Sequence, residues 1–293
     1  MDKTNLAELV TALVKLSLFI IMFALGLGLL RQNFLRLRQN SSLVLRSLIA
    51  VVILVPLSAI CLLKGLPDLP APTRHAIALM AACPSAPFIL RKASKVGADA
   101  DIAGPLQLFF ALLSILTVPV TIFCCKILFA RTGWDVTPET VAPVILQTQI
   151  LPLGLGFLVR QLSPDWADKL QRPLIKLSNI LFPVIILLIL VKAAQPLMQF
   201  LGSSFATLTL VAMLIMVAMA LLIGHLSGGP GEKTRTTLAL VTSMRNPGLA
   251  LLLASKFASD VVFIRAAIAA YVVLTVLGSI PYLSWRKRAT ASE

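Results

Sequence analysis

Long apolar runs, separated by short clusters of charged and turn-forming residues, recur between residues 9 and 284. Nine of them approach the roughly 20 residues that an α-helix needs to cross a bilayer. They lie at about 9–30, 43–63, 73–98, 102–130, 138–159, 173–194, 203–226, 233–258 and 261–284. Two are interrupted. The third carries Cys83-Pro84-Ser85-Ala86-Pro87, which removes two backbone donors in four residues and predicts a break at 84–87. The eighth sets Arg245, Asn246, Pro247 and Gly248 in the middle of an apolar stretch and predicts a break at 243–247. A carbonyl freed by proline is tolerated at membrane depth only where it is buried in protein or lines a cavity. Two interrupted helices in corresponding halves of a chain point to a binding site near the midplane. The expected fold is therefore an all-α polytopic membrane protein of nine transmembrane helices, an inverted repeat with two broken crossover helices.

Composition agrees and orients the chain. Of 293 residues, 58% are hydrophobic and 13% charged, with a mean hydropathy of +0.93. The net charge of +14 would suggest a nucleic-acid partner in a soluble protein. Here it reads as the excess of Lys and Arg that cytoplasmic loops carry, so the partner is the lipid bilayer and no nucleic acid is expected. With the N-terminus outside, 16 Lys and Arg fall in inside segments and 8 in outside ones. The expected topology is N-terminus outside and C-terminus cytoplasmic, in a bacterial inner membrane. It makes the two broken spans run in opposite directions, as an inverted repeat requires. Asp2 and Glu8 spoil the basic start of a signal peptide. The basic tail Arg286–Arg288 needs no more than the same loop rule, with contact to anionic lipid.

Candidate chemistry narrows to the breaks. Arg245 lies roughly 18 Å into its span at helical rise, too deep to reach an interface easily, and charge at that depth is costly and usually functional. The alternative is a simple proline kink with a snorkelling side chain. Gln107 either lines a polar centre or bonds a neighbouring helix. His75 and His225 sit near span ends, where solvated or capping roles are expected. Cys61, Cys83, Cys124 and Cys125 read as small buried hydrophobes without metal or disulfide spacing. Every Asp and Glu falls in a terminus, a loop or a span end. Without a carboxylate pair, a metal cluster or a phosphate loop, the chain is not expected to be an enzyme. GLGLLRQ (26–32) and GLGFLVRQ (154–161) look like a repeat, yet both spans run outside to inside; close helix packing at small residues explains them as well.

Three stretches, FIIMFALGLGLLRQNF (19–34), LPAPTRHAIALMAACPSAPF (69–88) and TLALVTSMRNPGLALLLA (237–254), together resemble the bile acid:sodium symporter family in its nine-span form. That resemblance covers nearly the whole chain. It implies one transporter domain over 1–293 in which a panel (about 9–30 and 138–194) faces a core (about 43–130 and 203–284), with organic anions binding between them. The two broken helices would cross in the core. The departures matter equally. The sodium-binding members place a glutamate at Val241, a glutamine at Arg245 and another glutamine at Val51. Their serine and asparagine after the first break fall at Ile89 and Leu90, and their next serine and threonine near Ala103 and Gln107. Only Cys83, Pro84, Met244 and Asn246 of the crossover residues remain. Apolar side chains offer sodium no ligands, and a guanidinium ~4 Å away would repel it by about 4 kcal/mol at an effective dielectric of ~20.

The resulting expectation is an alternating-access carrier of a small organic anion such as a carboxylate, sulfonate or bile-acid-like solute. It is sodium-independent, has no cofactor, and uses Arg245 as a tethered cation in place of the ion. Substrate-binding candidates are Arg245, Asn246, Ser243, Thr242, Ser85 and Gln107; Pro84, Pro87, Pro247 and Gly248 shape the crossover backbone. One alternative restores sodium coupling through backbone carbonyls and the hydroxyls of Ser243, Thr242 and Ser85. Another is a non-transporting receptor or sensor on the same fold, which the short stretch after the last span disfavours.

Overall fold

A computed structural model describes residues 3–84, 97–129, 134, 136–192, 194, 198, 205–257 and 261–291. The described residues are helical, with no strand among them. Helix α1 (Lys3–Leu27) is followed by α2 (Arg31–Gln39), which occupies a stretch expected to be a loop. Then come α3 (Ser41–Leu48), a π-helical turn (Ile49–Leu54), α4 (Val55–Gly65) and α5 (Ala71–Ala82). Helix α6 (Ala100–Phe129) precedes α7 (Pro138–Ile145), a second π-helical turn (Leu146–Ile150), α8 (Leu151–Leu162) and α9 (Pro164–Lys192). The last elements are α10 (Ala206–Ser227), α11 (Glu232–Ser243), α12 (Pro247–Ala254) and α13 (Val261–Ala291).

Eight stretches among the described residues are long and apolar enough to cross a membrane, and they match the expected spans other than the third. Of the third span, residues 73–84, 97 and 98 are described. Ser85 and Pro87, both named from sequence, lie outside the described residues. The membrane-facing surface is plain on α6, where Leu116, Val120, Phe123 and Ile127 follow helical spacing and are each more than half exposed. By contrast, Thr236–Ser243 of α11 and all of α12 are buried. The interrupted eighth span is the centre of the molecule.

Both breaks follow from the residue preceding a proline, which is pushed out of helical geometry. Cys83, before Pro84, has φ −91° and ψ 99°. Asn246, before Pro247, has φ −88° and ψ 90°. Helix α5 therefore ends at Ala82, so helical geometry is lost at Cys83, one residue before the expected break. The second is confined to Met244–Asn246: Ser243 is the last residue of α11, and Pro247 opens α12. Proline suits a first helical position because its missing N–H would have no partner there. Asn246 completes the start of α12 by accepting from Leu249 N at 3.1 Å. Prolines also explain the two π turns, which were not anticipated: Pro56 and Pro152 follow them by two residues, and a widened turn accommodates the missing donor.

Helix α1 packs against α8 through mutual glycine contacts. A Cβ on Gly26 would collide with Leu153 O and Phe157 N, and one on Gly156 with Phe23 O and Leu27 N. The GLG resemblance between the two helices is thus a close-packing device, as small residues permit in a bilayer. Arg160 secures the same pair by donating from Nε to Leu27 O and pairing with Asp168 at 2.8 Å. Substituting Gly156→Leu is expected to destabilise the protein by about 3 kcal/mol, read as a lower melting temperature in detergent. Gly154→Leu should be tolerated, because nothing lies within 4 Å of the added Cβ. Equal melting temperatures for the two variants would refute this packing.

Candidate functional site

The two interruptions meet. Asn246 N donates to Cys83 O at 3.2 Å, joining the end of α5 to the gap between α11 and α12. Next to this bond the Arg245 side chain is 2% exposed and donates three ways. Nε reaches Met80 O at 3.0 Å, Nη1 reaches Val51 O at 3.3 Å, and Nη2 donates to Ala81 O.

Each acceptor is a carbonyl without its usual helical partner. The amide four residues beyond Met80 belongs to Pro84, which has no N–H; the one beyond Ala81 lies past the end of α5. In the π turn Val55 N donates to Ala50 O, so the next donor in that register, Pro56, has nothing to give Val51 O. An unpaired buried carbonyl costs about 1–3 kcal/mol, and no water relieves it in hydrocarbon. One planar guanidinium, with five N–H groups, satisfies three of them.

The electrostatics point the same way. Helix C-terminal ends carry a partial negative charge of roughly half an electron each. Helix α5 ends at Ala82 and α11 at Ser243, so two such ends converge beside one cation. Among the described residues no carboxylate pairs with Arg245.

The other candidates separate. Thr242 donates to Ala220 O at 2.7 Å and to Leu238 O at 2.8 Å. Its contact with α10 is possible because Gly224 leaves room for it. Ser243 donates to Ala239 O at 2.7 Å. Both hydroxyls are buried and spent on backbone. Pro84, Pro247 and Gly248 are buried at the breaks, and Gly248 abuts Leu18 of α1. Gln107 stands apart on α6: it is 1% exposed, and neither amide atom has a hydrogen-bond partner among the described residues.

Several groups were not anticipated. Arg286, expected in a solvated tail, is 2% exposed. It pairs with Glu232 and donates to Thr236 Oγ1 at 2.8 Å, pinning the start of α11 to the last helix. Arg265 donates from Nη2 to Thr11 Oγ1 and to Ser255 Oγ, both at 2.7 Å, linking α1, α13 and the end of α12. His75 is buried rather than solvated, stacked on Phe257 with ring centres 4.6 Å apart. Cys61 and Cys124 are exposed, whereas Cys83 and Cys125 are buried as expected.

The described residues form a multi-pass helical protein in which the end of α5 meets the gap between α11 and α12. Residues 15–200 match the sodium bile acid symporter family, and the chain belongs to that family. No curated protein matches it. Members of the family are transporters, not enzymes, so the protein is a multi-pass membrane carrier whose partners are a small solute and the bilayer. The matched region ends before the interruption that holds Arg245.

Arg245→Met leaves three buried carbonyls without donors and is expected to cost on the order of 3 kcal/mol, read as a fall in melting temperature and folded yield. Arg245→Lys should recover part of this, since an ammonium donates without the guanidinium's fork geometry. An unchanged melting temperature for Arg245→Met would show that the carbonyls do not need it.

Proposed function

We propose that the protein is a sodium-independent carrier of a small organic anion, working by alternating access, with Arg245 as the built-in replacement for the ion. The observation that carries this reading is the guanidinium buried where the end of α5 meets the second break, with no carboxylate paired to it among the described residues. A fixed positive charge in the buried centre opposes a second cation and favours an anion. The start of α12 adds to the preference, because a helix N-terminus attracts negative charge. That end lies where Gly248 meets Leu18 of α1, on the seam between the panel (α1, α7, α8, α9) and the core (α3–α6, α10–α13).

The Arg245 charge argues against sodium coupling. Thr242 and Ser243 donate to backbone carbonyls and keep their oxygen lone pairs, and the carbonyls at the end of α5 accept from the Arg245 guanidinium. In this reading Asn246 and Pro247 hold the crossover backbone, and the substrate meets the positive end of α12 and the amide of Gln107. The N-terminus faces outside and the C-terminus the cytoplasm of a bacterial inner membrane.

Melting curves of the purified protein in sodium chloride and potassium chloride, at equal ionic strength, should coincide. A specific ligand of the folded state at a hundredfold excess over its Kd would stabilise by about 2.7 kcal/mol. A sodium-specific rise, or uptake into vesicles that requires sodium, would overturn the reading.

A further inference from the structure

Resting on the alternating-access reading above, we infer that Arg265 is a latch between panel and core. It holds the molecule closed at the end where α1 and α13 begin. That end opens by breaking the bond from Arg265 to Thr11 while the bond to Ser255 is kept.

Arg265 lies near the start of α13 and is 8% exposed. A guanidinium removed from water must have its donors bonded. Its Nη2 carries two N–H groups and donates to both sides of the seam: to Thr11 Oγ1 of α1 and to Ser255 Oγ at the end of α12, each at 2.7 Å. Around these bonds the contact is apolar. Thr11, Val14 and Leu18 recur at helical spacing on α1 and share one face. Val14 and Leu18 pack in one cluster with Ile264 and Ile268 of α13. Apolar contact is non-directional, so it lets one surface slide past the other. The hydrogen bond to Thr11 is directional and fixes the position.

Two other arginines show the contrast. Arg160 pairs with Asp168 and donates to Leu27 O, joining α8, α9 and α1, all of the panel. Arg286 pairs with Glu232, joining α13 and α11, both of the core. Each staples one unit internally. Arg265 bonds between the units, and its acceptor on the panel is a neutral hydroxyl, so letting go leaves no buried carboxylate without its partner. Ser255, ten positions away on the core, keeps the guanidinium bonded when the seam parts. Opening therefore costs one hydrogen bond and strands no charge.

The test uses the full-length protein in detergent with a cysteine reporter, Val14→Cys, at a position 2% exposed and one turn further along the seam than Thr11. Its rate of labelling by a water-soluble maleimide, above that of the protein without the reporter, reads how often the seam opens. Thr11→Val removes the acceptor and keeps the shape. It should raise the rate roughly tenfold or more, the shift in an opening equilibrium that loss of a hydrogen bond to a charged group brings. Thr11→Ser, which keeps the hydroxyl, should label at the rate of the unaltered latch. Ser255→Ala should leave the rate unchanged or lower it, because the bond that it removes survives opening. An unchanged rate in Thr11→Val would overturn the latch. Equal rises in Thr11→Val and Ser255→Ala, with equal falls in melting temperature, would make Arg265 a general staple of this end and overturn it too. Both failures leave the carrier reading standing, since that reading answers to the sodium and potassium melting curves.

Discussion

One guanidinium and three proline-freed or end-of-helix carbonyls hold the centre of this protein together. Interrupting a transmembrane helix exposes backbone groups in a medium that cannot hydrate them. It also leaves half-helix dipoles unbalanced. Arg245 answers both at once: it donates to Met80, Ala81 and Val51, and its charge sits where two helix C-termini converge. A bound cation can do the same service by ligation, but it can leave. A side chain cannot.

Much of this was legible in the sequence because proline acts locally. The residue preceding a proline is disfavoured in helical geometry; Cys83 and Asn246 mark the breaks to about one residue, whereas Val55 before Pro56 and Leu151 before Pro152 stay helical. Apolar runs long enough to span a bilayer are equally self-evident, since hydrophobicity over some 20 residues is a one-dimensional property. The depth of Arg245 followed from counting along its span. Its partners did not. Val51 is 194 positions away in sequence, and only the folded chain shows that the carbonyl left over by Pro56 in a π register points at the guanidinium.

The groups that escaped sequence reading share a feature: their role depends on a partner far along the chain. Arg286 looked like one of three tail charges until Glu232 and Thr236 were found beside it. Arg265 looked like a loop charge, yet it bridges Thr11 and Ser255. His75 lies near the end of its span, where water is the usual neighbour, but Phe257 and Trp134 cover it. A single sequence reports where a charge lies along a helix axis and not which way the helix turns it. That rotational ambiguity also hid Gln149, a polar residue in an apolar span that could equally have faced a neighbouring helix or a substrate.

The two π turns deserve a physical reading beyond accommodation of proline. A π turn shifts the register of one helix face by a residue, re-aiming side chains without ending the helix. In the second span the shifted turn presents the Val51 carbonyl to Arg245. In the fifth it presents Gln149 to Ser114. Each distortion thus places one polar group at the buried centre of an otherwise apolar helix. An undistorted helix would pair the Val51 carbonyl with the Val55 amide, which the π register instead gives to Ala50, and a more polar sequence would weaken the spans themselves. Distorting the backbone adds polarity at a chosen depth while keeping the side chains that make the helix insert. This is why the chain can remain apolar along its length and still carry polar groups at its buried centre.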